Sequence, residues 1–129
     1  MAENSLVESL KLLLKDRLAK KQDSIALFML LNKEDSTENW DLLVSPYLSK
    51  KQPDAYKDYL TTYVTALSTT LSTEDLSTIS RVVTLDPSSP LVKNITSTLR
   101  VTDPDNMVSM ENVIINQIPI KKARIFLST

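Results

Sequence analysis

The sequence predicts a single α+β (or α/β) domain over residues 1–129, with a mixed sheet of about five strands and three main helices. Three segments carry apolar residues at helical spacing, and the segments between and after them are short, apolar or β-branched, as strands are. A length of 129 residues suits one core. The predicted order is α-β-β-α-β-α-β-β, in which the helix between the second and third strands allows a parallel crossover.

The N-terminal third is predicted to form the first helix and the central strand. SLVE at residues 5–8 fits a capping box, with Ser5 as the N-cap and Glu8 reaching back. SIALFMLL at 24–31 is short and continuously apolar, so we expect a strand buried on both faces in the middle of the sheet. Asn32 then opens a polar loop, where it can take the positive φ that glycine usually supplies.

The segment TENWDLLVSP at 37–46 contains the single tryptophan and is predicted to be the second strand. Alternation puts Trp40, Leu42 and Val44 on one face and Asp41 on the other. Pro46 ends the strand, because proline cannot donate to a ladder. Asp41 is therefore either a solvated strand residue beside a polar loop or a site residue.

The second helix begins near Pro53 and has an apolar stripe that includes Tyr56, Tyr59 and Tyr63. These tyrosines are expected to pack against the sheet. The alternative is a protein-binding face that also includes Trp40, since tyrosine and tryptophan are favoured at interfaces.

The remaining elements are marked by turn residues. STED at 72–75 offers a cap, RVVTL at 81–85 is the third strand, and DPSSP restarts a helix capped by Ser88 or Ser89. TDPDN at 102–106 is a turn. Two final strands are predicted at 110–116 and 120–127, with Pro119 between them.

The composition excludes many kinds of chemistry, because the chain has no glycine, cysteine or histidine. The P-loop, the dinucleotide fingerprint and the nucleophile elbow all need glycine. A Ser-His-Asp triad needs histidine, and zinc sites of the usual kind need cysteine or histidine. The remaining metal chemistry is Mg²⁺ or Mn²⁺ bound by carboxylates, and no cofactor is predicted.

The net charge of −1 provides no basic field for nucleic acid or an anionic membrane, so we expect neither as a partner. No apolar run approaches the length needed to span a bilayer, and the polar N-terminus does not resemble a secretory signal. The expected location is the cytoplasm. The late basic cluster of Lys121, Lys122 and Arg124 is expected to protect a sheet edge from aggregation.

Two carboxylates are the candidates for catalysis or metal binding. Asp41 lies in the second strand, and Asp86 follows the third strand, where a carboxylate can face a ligand crevice. If the two converged, they would share a divalent ion with Asp35 or Glu38. The simpler interpretation of Asp86 is a turn and helix cap.

The order of helix, apolar strand, loop and WDLLV resembles the nucleotidyltransferase fold. In that family the first strand ends in a Gly-Ser motif, and an Asp-x-Asp pair on the next strand holds the metals that bridge the incoming nucleoside triphosphate. Asp41 matches the second acid, whereas Asn39 replaces the first and LLNK replaces the Gly-Ser motif. The resemblance covers about the first third of the chain and implies a degenerate relative.

Two functions follow as alternatives. The first is a non-catalytic protein-interaction or assembly module, of an immunity, chaperone or subunit type, which binds a protein partner or a second copy of itself. The second is a carboxylate-dependent Mg²⁺ enzyme, or a degenerate nucleotidyltransferase-like domain, acting on a phosphate-bearing substrate. The missing catalytic residue types favour the first, and a small-molecule ligand is left open.

Overall fold

A computed structural model describes residues 2–19, 24–32, 39–47 and 53–129. It confirms the predicted class and order: a mixed five-stranded sheet with three longer helices and one short helix. The elements are α1 Ala2–Ala19, β1 Ile25–Asn32, β2 Trp40–Pro46, α2 Pro53–Thr70, α3 Thr73–Ser77, β3 Ile79–Thr84, α4 Pro90–Thr98, β4 Val108–Ile115 and β5 Ile118–Ser128, with a 3₁₀ turn at Pro104–Asn106.

The strand order across the sheet is β3-β2-β1-β5-β4. β2 and β3 are parallel and are joined by the crossover through α2 and α3, whereas every other neighbouring pair is antiparallel. β1 is the central strand, and all of its residues are buried, as its continuous apolar run predicts.

The sheet separates two hydrophobic cores. The α1–α2 face carries Trp40, Leu42 and Val44 of β2 against the leucines of α1 and the apolar stripe of α2. The opposite face, here called the α4 face, carries Leu43 and packs against α4. The predicted alternation along β2 is therefore confirmed.

Within the described residues, three residues have positive φ, a conformation that glycine adopts in most proteins. Asn116 (φ 50°) and Gln117 (φ 66°) form the two-residue turn between β4 and β5, a turn that requires positive φ at both positions. Asn112 (φ 54°) lies within β4, where the alternation of side chains is interrupted. Met110 and Val113, on either side of it, both face the α4 side although they are three positions apart. The prediction of positive φ at Asn32 is wrong, because this residue is the last of β1.

The predicted capping box at the N-terminus is also wrong. α1 begins at Ala2, so Ser5 lies inside the helix and not at its N-cap. Ser5 instead donates a hydrogen bond of 2.6 Å to Asp75 in α3. Ser5 and Glu8 have the residue types and spacing of a capping box. Ser5 nevertheless forms a long-range contact with α3 instead of capping its own helix.

The prediction that Lys121, Lys122 and Arg124 guard a sheet edge is wrong, because β5 lies between β1 and β4. Arg124 is only 6% exposed; its guanidinium lies over the Trp40 ring and forms an ion pair with Glu111. Pro119 is within β5, in the stretch that pairs only with β4. A missing N–H costs little there, since β1 does not extend that far.

Candidate functional site

The pair of Asp41 and Arg81 is the charged centre of the candidate site. The two residues are directly opposite each other in the parallel ladder of β2 and β3, and Arg81 Nε lies 3.2 Å from Asp41 Oδ2. The Asp41 side chain is 19% exposed and that of Arg81 is 61% exposed. Asp41 is therefore a partly buried carboxylate that forms half of an ion pair.

This ion pair borders a cavity of about 140 Å³ on the α4 face. All the other lining residues are aliphatic. Leu43, Leu31 and Ile120 supply parts of the wall from the inner strands, and Val83 supplies another from β3. The arrangement is an apolar recess with one donor–acceptor pair beside it.

The cavity exists because one helix cannot cover this face. Five strands spaced about 4.8 Å apart are roughly twice as wide as a single helix, which is about 10 Å across with its side chains. α4 packs mainly over β1 and β4. Among the described residues outside the sheet, those that line the cavity are Leu91, near the start of α4, and the loop residue Leu85.

Asp86 lies in a separate hydrogen-bonded cluster. The Tyr56 hydroxyl donates to Asp86 Oδ2 at 2.6 Å, and the backbone N–H and hydroxyl of Ser88 donate to Oδ1 at 2.7 and 2.6 Å. Burial of the phenol and the hydrogen bond to Asp86 raise the pKa of Tyr56 to about 12. Asp86 therefore stabilises the turn, and its hydrogen bond with Tyr56 links α2 to the loop before α4.

The structure does not bring Asp41 and Asp86 together. Asp41 is opposite Arg81, and Asp86 follows five positions later along the parallel direction, a distance of roughly 15 Å in extended chain. Asp35 and Glu38 lie outside the described residues. Within the described ranges, no group of three His, Cys, Asp or Glu residues is placed to hold a metal ion.

The aromatic candidates are mostly part of the core. Tyr63 is fully buried, with its ring 6.0 Å from that of Phe28, and Trp40 is 4% exposed. Tyr59 is partly buried against the same cluster, 5.0 Å from the Tyr63 ring. The packing interpretation of the stripe therefore describes Tyr59 and Tyr63, whereas Tyr56 lies at its outer end and contacts Asp86.

Sequence reasoning missed Arg81 and the cavity residues. Nothing in RVVTL marks its arginine as the partner of Asp41, because the pairing depends on the register of β3 against β2. A useful signal is present in retrospect: Arg81 is the one charged residue in a strand whose neighbours are apolar or hydroxylated.

Among the described residues, no helix is both long and apolar enough to cross a membrane. Asn39 and Asp41, the positions that resemble the acidic pair of nucleotidyltransferases, are an exposed amide and an ion-paired carboxylate. No protein-family model matches the chain, and neither a curated protein nor a solved structure matches it significantly.

Proposed function

We propose that the chain is a non-catalytic protein-interaction or assembly module of the cytoplasm that associates with a second copy of itself. The observation that supports this is the pair of open edges in the sheet: in the described part of the chain, neither β3 nor β4 has a strand on its outer side. An open edge presents unpaired N–H and C=O groups that another strand can satisfy.

The β4 edge is the better candidate for self-association. Ile114 on this strand is 74% exposed, although isoleucine is more often buried. Antiparallel pairing of β4 with β4 of a second copy would extend the sheet across a two-fold axis and cover both Ile114 side chains. Such an interface is closed, which favours a dimer over a fibre.

Light scattering on the eluate of a size-exclusion column tests this proposal. The wild type is expected to be a dimer, and Ile114→Lys a monomer, because a charge at the edge opposes strand pairing. Leu12→Lys is the matched control, since Leu12 is also an exposed aliphatic residue (67%) but lies on α1 and not on β4, and this variant is expected to stay dimeric.

A wild-type protein that stays monomeric at the highest soluble concentration would overturn self-association. A dimer that Ile114→Lys leaves intact would overturn the role of the β4 edge. Fractionation of cells that express a tagged chain tests the cytoplasmic location.

A further inference from the structure

We propose that the cavity beside Arg81 takes one aliphatic or aromatic side chain of an extended protein segment, with the neighbouring peptide group bound by the Arg81–Asp41 pair. The proposal rests on the proposed function in one respect, namely that the chain binds proteins. It uses a different surface from β4, so the two can fail independently.

The size of the cavity limits the size of the side chain that can enter it, here called the anchor. A volume of about 140 Å³ with aliphatic walls is close to that of engineered cavities of roughly 150 Å³ that bind benzene. The inner walls, Leu31, Leu43 and Ile120, are 4%, 3% and 2% exposed. A recess of this volume admits one side chain and excludes a whole helix, which is about 10 Å across.

The ion pair determines the chemistry beside the anchor. Arg81 uses Nε for Asp41, and its guanidinium carries further N–H donors. Asp41 likewise keeps acceptor capacity, because a carboxylate has two oxygens and the contact with Arg81 Nε is to Oδ2. Because the pair is neutral as a whole, it favours a neutral group that is both donor and acceptor. A peptide group has that character, because its C=O can accept from the guanidinium while its N–H donates to the Asp41 carboxylate.

The position of the cavity suits an extended segment. Arg81 and Val83, two positions apart on β3, both line it. A peptide that pairs with the open edge of β3 would place alternate side chains on the same face, next to these two residues. Edge pairing then supplies affinity, and the cavity selects the anchor residue.

Solution NMR of the full-length chain, with labelled methyl groups, tests the proposal with three probes. N-acetylphenylalanine N-methylamide carries the ring and two peptide groups, benzene carries the ring alone, and N-acetylalanine N-methylamide carries the peptide groups alone. The first is expected to shift the methyl signals of Leu43, Val83 and Leu91 with a dissociation constant on the order of 1 mM. The alanine probe is expected to bind about tenfold more weakly, because it leaves the cavity empty.

Substitutions test the ion pair and the apolar cavity separately. Arg81→Ala is expected to weaken binding of the phenylalanine probe by roughly tenfold, as loss of a charge-assisted hydrogen bond would, and to leave benzene binding unchanged. Arg100→Ala, which removes an exposed arginine elsewhere, is the matched control and should change neither. Val83→Phe fills the cavity and should abolish both. If it unfolds the protein in a thermal melt, Leu91→Phe from the opposite wall replaces it.

The failing outcomes are distinct. Absence of methyl shifts with the phenylalanine probe at saturating concentration overturns the proposal. Benzene binding as tightly as the phenylalanine probe, with no effect of Arg81→Ala, also overturns it and assigns the cavity to small apolar molecules. Running the titration on Ile114→Lys separates the two surfaces, since probe binding should persist in that variant whether or not the wild type is a dimer.

Discussion

Ser5, in the first turns of α1, donates a hydrogen bond of 2.6 Å to the buried carboxylate of Asp75 in α3, across 70 positions of sequence. Asp75 is 3% exposed, and its own backbone N–H donates to Ser72, the N-cap of α3. A carboxylate beside the first turn of α1 also interacts favourably with the positive end of that helix. One side chain thus joins two helices that are distant in sequence.

Removing that hydroxyl should cost stability. Ser5→Ala leaves a buried carboxylate without this donor, which is expected to lower the free energy of unfolding by about 1–2 kcal/mol. Urea denaturation followed by circular dichroism measures it. Ser97→Ala is the matched control, because Ser97 is an exposed helical serine that bonds only to the backbone of its own turn. Equal effects of the two substitutions would show that the contact with Asp75 contributes nothing.

Tyr56 should titrate later than an ordinary tyrosine. Its pKa is raised from 10.0 to about 12, so the native state holds its proton more tightly than the unfolded chain does. The stabilising effect is complete below pH 10 and is lost as pH rises from 10 to about 12. Ultraviolet absorbance of tyrosinate should show a late component that Tyr56→Phe reduces by one tyrosine and that Tyr47→Phe, at an exposed position, leaves unchanged. Loss of that component in Tyr47→Phe would contradict the assignment.

The β4–β5 turn should accept glycine with a gain in stability. Gln117 has a φ of 66° without the special tolerance of asparagine or glycine for this region. Gln117→Gly is expected to raise the free energy of unfolding by about 0.5–1 kcal/mol, and Gln117→Val to lower it by more. Asn116→Gly should gain less, because asparagine already accepts positive φ. Chemical denaturation of the three variants ranks them, and a destabilising Gln117→Gly would exclude the turn geometry.

Magnesium should leave the thermal stability unchanged. A cation that binds the native state must raise its midpoint of unfolding, but Asp41 is engaged by Arg81, and Asp86 by Tyr56 and Ser88. Differential scanning fluorimetry with Mg²⁺ and Mn²⁺, against a matched concentration of Na⁺ salt, tests this. A rise of several degrees that disappears in Asp41→Asn would favour the carboxylate-dependent enzyme over the interaction module.

Local patterns predicted the elements of this fold well. The apolar run at residues 24–31 identified the central strand, and the alternation of Trp40, Asp41 and Leu42 assigned both faces of β2. These predictions succeed because the side-chain direction within a strand or helix depends on spacing alone. The prediction of a cap at Ser72 is also confirmed, since a capping side chain bonds within its own turn.

The candidate site was predicted only in part. The sequence identified Asp41 as a candidate site residue, but it did not predict the partner of Asp41, its separation from Asp86 or the cavity beside it. Each of these depends on which strands are neighbours: the parallel register joins Asp41 to Arg81 and moves Asp86 along the sheet. Lys121 and Lys122 were misassigned for the same reason, because the last strand in the chain is not the last strand in the sheet.

The sequence by itself determined the helices, the strands, the faces they bury and the catalytic groups that the chain lacks. Only the tertiary structure decided that Ser5 bonds to Asp75, that Asp41 pairs with Arg81 and that α4 packs mainly over β1 and β4. The physical reason is the separation in sequence over which each kind of interaction acts. Periodicity and capping act over a few residues, whereas a buried polar contact or a cavity depends on chain crossovers that bring distant segments together.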